Sequence, residues 1–183
     1  AGLNKKEDAR ESFAAAYKYA NSYEFEVKSQ IEIAKTFDNK TDSYEKAIEY
    51  ISKIAKKGTY ASRKNELYYA SGLIASSAAK DSLADSYFRK ALKEKQSDPQ
   101  IRGLTYSEIA KKYFAKDDYL TAGVFYDSAL AVMSYKPEKD RLTELTANIK
   151  KLSKNYYIVK KNDSILNLSK MSPDEKRDYF AKY

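Results

Sequence analysis

The sequence contains no cysteine and no histidine, and only five glycines and three prolines among 183 residues. Without cysteine there is no disulfide, no thiolate ligand and no thiol nucleophile. Without histidine the commonest general base near neutral pH and the commonest zinc ligand are both missing. So few glycines and prolines provide poorly for the frequent tight turns of a β-rich fold. No apolar run approaches the roughly 18 residues needed to span a bilayer, and no secretory leader pattern is visible. Carboxylates and lysines remain, but no constellation of them reads as catalytic machinery. The expectation is a non-enzyme that takes no cofactor, no metal and no small-molecule substrate.

What the chain does contain is helix-forming sequence. Apolar residues make up 43% and charged residues 33%, enough for a core inside a well-solvated surface. Long stretches are rich in Ala, Lys, Glu and Leu, with tyrosine tolerated among them, so the fold class is read as all-α. The net charge of +8 raises nucleic acid as a partner. The lysine pairs at 5–6, 56–57, 111–112, 150–151 and 160–161, however, are scattered and interleaved with acids. They read as solvated helix faces, with lysines near helix C-termini complementing the helix dipole.

A repeat organises the rest. Ala84, Phe88 and Ala91 recur downstream as Ala122, Tyr126 and Ala129. The same triplet stands upstream as Ala47, Ile51 and Ile54, and one further step back as Ala9, Phe13 and Ala16. The spacing i, i+4, i+7 puts each triplet on one helical face. A face returning at a near-constant period marks stacked helix hairpins that cannot bury their apolar sides alone. First helices match as well: Tyr68 and Gly72 correspond to Tyr106 and Ala110. The small residue at each second position lets the two helices of a hairpin approach closely.

The boundaries follow from turn chemistry. Residues 1–20 carry a second-helix pattern with no first helix before it, and the chain opens on Ala1. A processed or excised fragment is therefore expected, with targeting information upstream. A degenerate repeat covers 22–58, ending at Gly58 as a C-terminal cap. Better repeats cover 62–97 and 99–135, divided at Asp98-Pro99, where Asp caps and Pro opens the helix. Residues 137–183 form a C-terminal extension whose stripe of Leu142, Leu145, Ile149, Leu152, Tyr156 and Val159 steps by 3 and 4. Two readings stay open there: one long helix, or a hairpin broken near Ser153-Lys154-Asn155. Ser172-Pro-Asp-Glu175 is a capping box, starting a last helix that runs to Tyr183.

This pattern resembles the tetratricopeptide repeat, with an aromatic and small residue in the first helix, an Ala–aromatic–Ala triplet in the second, and Pro at the boundary. The period of 37–38 exceeds the usual ~34, and the surplus is assigned to the turns between units. The resemblance implies a right-handed α-solenoid of helix hairpins. More narrowly, Asp163-Ser-Ile-Leu-Asn-Leu-Ser-Lys-Met171 resembles the Asp-Ser-Leu-Leu-x-Leu-Ala-x-Met run of the SprE/PorW group. These are repeat lipoproteins of Bacteroidetes gliding motility and type IX secretion. That likeness implies an outer-membrane-anchored protein on the periplasmic side, held by a lipid attached upstream and touching the membrane only there.

In such an array the first helices line a concave surface. Counting from Tyr68 and Tyr106, the groove-facing residues are Tyr69, Leu73 and Ser76, then Ser107, Lys111 and Phe114. A mixed surface of this kind suits an extended peptide or a partner helix held by apolar anchors, with lysine reading a carboxylate. The competing reading of Leu73 and Phe114 is intramolecular packing, because one residue of register error turns a helix face by about 100°. The expected function is a protein-binding scaffold of the secretion and motility machinery. The alternatives are a cytoplasmic adaptor for a soluble protein or peptide and, third, a nucleic-acid-binding helical repeat.

Overall fold

The computed structural model describes residues 2–95 and 98–181. Ala1, Tyr183 and the boundary expected at residue 97 lie outside that range. The described residues form α-helices joined by short turns, with no strand among them. In order these are α1 (Gly2–Lys18), α2 (Tyr23–Lys35), α3 (Tyr44–Ala55), α4 (Lys64–Ser77), α5 (Asp81–Lys93), α6 (Pro99–Phe114), α7 (Tyr119–Val132), α8 (Lys136–Lys170) and α9 (Pro173–Ala181). A 3₁₀ turn, Gly58–Arg63, leads into α4.

The packing is that of an all-α solenoid. The closest pairs are the hairpins α4–α5 and α6–α7, and the first helices α2, α4 and α6 lie side by side in sequence order. The triplets occupy equivalent seats. Ala84, Phe88 and Ala91 are 0%, 0% and 3% exposed, and Ala122, Tyr126 and Ala129 are 0%, 2% and 0%. Gly72 explains the close approach of α4 to α5: a Cβ there would stand 2.5 Å from Cδ1 of the buried Phe88 ring. Gly103, which sequence reading passed over, does the same between α6 and α7. A Cβ there would meet Met133 Cγ at 2.5 Å and the Ala129 carbonyl oxygen at 3.1 Å.

The hairpin turns repeat down to their hydrogen bonds. Ala79 and Asp117, equivalent positions in successive repeats, both hold positive φ, at 55° and 60°. After α4, the Lys80 N–H donates to the Ala75 carbonyl (2.8 Å) and Ala79 N–H to Ser76 (3.0 Å). After α6, Asp118 N–H donates to Tyr113 (3.0 Å) and Asp117 N–H to Phe114 (3.1 Å). Both are Schellman turns, which satisfy the last helical carbonyls and reverse the chain. Asp98 caps α6 by accepting from Gln100 and Ile101 N–H at 2.8 and 3.0 Å. The Ser172–Glu175 capping box also forms, at 3.3 and 2.8 Å.

Two expectations change, and one choice left open is decided. Gly58 is no left-handed cap, since no described glycine has positive φ; it opens the 3₁₀ turn instead. The α1 triplet is no core stripe: Ala9 and Phe13 are half-buried and Ala16 is exposed, because α1 packs chiefly on α2 alone. Finally, α8 is one continuous helix, so the break near Ser153-Lys154-Asn155 does not form. Asn155 stands one repeat after Asp117, at the place of a turn. The triplet that would follow is Lys160, Ser164 and Asn167, and the position of Gly72 and Ala110 is Asn148. A hairpin there would bury a lysine and gain no apolar contact, whereas a helix satisfies its own backbone.

Candidate functional site

A cavity of about 710 Å³ lies on the face formed by the first helices. From α2 come Lys28, Ile31, Glu32 and Lys35, and from α4 Glu66 and Tyr69. Asp98, Gln100, Ile101 and Leu104 come from the start of α6, and Tyr135 and Glu138 from the start of α8. Repeat spacing explains the convergence. Lys28, Glu66 and Leu104 occupy one position in successive repeats, and Ile31 and Tyr69 share another, one turn further along the helix. Ile31, Tyr69, Ile101 and Leu104 form the apolar floor. Gln100 fixes one wall: its Oε1 accepts the Ser134 and Tyr135 N–H groups at 3.2 and 3.0 Å, holding the α7–α8 link over the groove.

Charges ring this floor, each held by a local partner. Glu32 pairs with Lys35 at 2.6 Å and Lys28 with Glu24 at 2.6 Å. Glu66, only 1% exposed, accepts from Arg63 at 2.6 Å. Burial pushes its carboxyl above the ordinary range, and the Arg63 guanidinium opposes that shift. Glu138 lies below the ordinary range because Arg141 donates to it at 2.5 Å; the positive charges of Lys111 and Lys35 add to this. Three helices thus direct cations at one groove carboxylate. Burial drives the Tyr69 phenol upward, and the charges of Glu108, Glu32 and Glu138 reinforce it. Tyr69 therefore serves as a neutral, amphipathic wall.

Of the six residues read from sequence as groove-facing, Tyr69 lines this cavity. Leu73 is half-buried against the main core, and Ser76 is half-buried at the end of α4. Ser107 is 3% exposed, one turn beyond Leu104. Lys111 is exposed and pairs with Glu108 at 2.6 Å. Phe114 is 37% exposed and packs edge-on against Tyr119 (5.2 Å), which in turn meets Tyr156 of α8 (5.1 Å). The six do not form one surface. The cavity sits about one helical turn nearer the N-termini of α4 and α6 than the offsets placed it. Ile31, Glu66, Ile101 and Leu104 were missed; a step of one turn back from Tyr69 and Ser107 would have found Glu66 and Leu104.

A second, polar recess of about 310 Å³ separates α5 from the end of α6. Lys112 crosses it, donating to the Asp81 carbonyl at 2.9 Å and lying 5.6 Å from the Phe88 ring centre. Burial lowers the Lys112 ammonium, with Asp81 and Asp85 opposing. Its contacts join successive hairpins, a structural task. No family model and no curated protein matches the sequence.

Proposed function

We propose that this chain is a non-catalytic scaffold of tetratricopeptide type that grips a polypeptide in the groove formed by α2, α4, α6 and the start of α8. The observation that carries the reading is the apolar floor of Ile31, Tyr69, Ile101 and Leu104, ringed by charges already paired. Such a site offers burial to apolar side chains and orientation through polar groups, as peptide grooves do. The Asp163–Met171 run supports the narrower reading, a component of the type IX secretion and gliding machinery of SprE/PorW kind. In that reading the partner is another protein of the machinery. The whole protein is lipid-anchored at the periplasmic face of the outer membrane.

The test is capture of partners from cell-envelope extract by the chain and by groove variants. Tyr135→Asp, at a wall residue 60% exposed, is expected to weaken capture about tenfold or more while leaving helicity intact. Equal capture by the parent chain and Tyr135→Asp would move binding to another face.

A further inference from the structure

Tyr69 is buried in the groove floor, 3% exposed, yet its hydroxyl has no hydrogen-bond partner among the described residues. It lines the cavity at a level where the charges of Glu32 on α2, Glu108 on α6 and Glu138 on α8 all reach it. A phenol buried this deeply ordinarily has a partner. Gln100, in the same lining, is in a similar condition. Its Oε1 is committed to the Ser134 and Tyr135 N–H groups, which fixes the orientation of the side-chain amide. The NH2 of that amide has no acceptor among the described residues. The groove thus holds two neutral polar groups, positioned by the protein, with hydrogen bonds still to make.

The charged groups of the lining are different. Lys28 pairs with Glu24, Glu32 with Lys35, Glu66 with Arg63 and Glu138 with Arg141. Asp98 caps α6. A charged side chain entering the groove would meet no free countercharge there and would lose its water. An uncharged apolar one gains by burial against Ile31, Ile101 and Leu104. The two free polar groups also discriminate between shapes of partner. Inside a helix each peptide N–H and C=O is already bonded to the helix itself. An extended segment keeps both free at every residue, with successive residues about 3.3 Å apart. The Tyr69 hydroxyl both donates and accepts and the Gln100 amide donates, so the pair answers a free main chain.

We propose that the groove takes an extended, uncharged segment of a partner polypeptide. Tyr69 and Gln100 hydrogen-bond its main chain, and its apolar side chains lie on the floor. This rests on the groove being the binding face, as proposed above, and names the kind of segment that face accepts.

Selection of short random peptides from a displayed library on the chain, followed by titration of the strongest binder as a synthetic peptide, tests it. Binders are expected to be rich in apolar residues and poor in charge. Their affinity is expected to change less than about twofold between roughly 0.05 and 0.5 M salt. Binding should add no helix signal in far-UV circular dichroism. Tyr69→Phe removes only a hydroxyl that has no partner in the described chain. Its melting midpoint is expected to hold while affinity falls about fivefold to tenfold. Gln100→Glu keeps an oxygen for the Ser134 and Tyr135 N–H groups but loses the amide donors, and is expected to weaken binding by at least as much. Binders that need a charge, or that become helical on binding, overturn the proposal. So does full affinity in either variant, or a lower melting midpoint for Tyr69→Phe. If such binders still lose affinity with Tyr135→Asp, only this inference falls. If no binder emerges, or binding ignores Tyr135→Asp, the groove reading falls with it.

Discussion

At the residue scale, two equivalent turn positions tell how tightly the repeat constrains its backbone. Ala79 and Asp117 hold the left-handed conformation that costs an L-residue with a side chain roughly 1–2 kcal/mol. Asp117 gains something in return, since its carboxylate accepts from the Tyr119 hydroxyl at 2.6 Å. Ala79 has no such side-chain compensation. Ala79→Gly is therefore expected to raise stability by about 1 kcal/mol, the relief at the turn exceeding the added unfolded-state entropy. An unchanged or lower midpoint in thermal denaturation would show the turn to be unstrained. Gly72 behaves oppositely. Gly72→Ala gains helix propensity but drives a methyl into a fully buried ring that cannot yield. The expected loss is about 1–3 kcal/mol, read from a denaturant titration.

At the scale of elements, the N-terminal helix is held differently from the others. α1 contributes half-buried side chains to α2, and its firmest polar tie is Arg10, which donates two hydrogen bonds to Asp42 at 2.7 and 2.6 Å. Asp42 also accepts from the Asp38 N–H at 2.8 Å, so one carboxylate joins α1 to the turn before α3. Burial pushes the Asp42 carboxyl up, but the Arg10 and Asp38 donors outweigh it and the net shift is downward. A depressed folded-state value means the folded chain releases this proton more readily than the unfolded chain. The resulting stability is present above the unfolded value of about 4 and is lost as pH falls through the folded value. Asp42→Asn is accordingly expected to be less stable than the parent at neutral pH, by about 1 kcal/mol for this partly exposed pair. The gap should close as the pH drops below about 4. A gap independent of pH, in thermal melts of both proteins, would show that the carboxylate charge plays no part.

At the scale of the whole molecule, the array is a stack in which each hairpin's exposed side becomes its neighbour's interior. Phe88 shares a core cluster with Ile109 of α6, and Tyr126 with Leu142 and Ile149 of α8, so the helix that follows each hairpin completes the enclosure of its aromatic. That stacking brings the first helices into one row and creates the groove. It also explains where the row ends. α8 begins as another first helix, with Pro137 standing one repeat after Pro99, and packs through Leu142, Leu145 and Ile149. No described helix packs back along its outer half, which extends beyond the stack and is exposed to solvent.

The fold was readable from the sequence because its determinants are local and repeated. The triplets, the Asp98-Pro99 boundary and the Ser172–Glu175 box are short-range patterns whose physics acts within a turn or two of helix. The groove was readable only in outline: the choice of first helices was sound, but Tyr69 alone of the named residues lines it. A helix face is set by periodicity, while the depth at which neighbouring helices meet is set by packing across hairpins. Gly103 against the Ala129 carbonyl, and Gln100 holding the α7–α8 link, are contacts between residues far apart in the chain. The sequence by itself determined the helices, their pairing and their period, because each follows from side chains a few residues apart. Only the tertiary structure decided which turn of each helix faces the groove and whether α8 runs on past Asn155. Both depend on what a distant neighbour offers to bury.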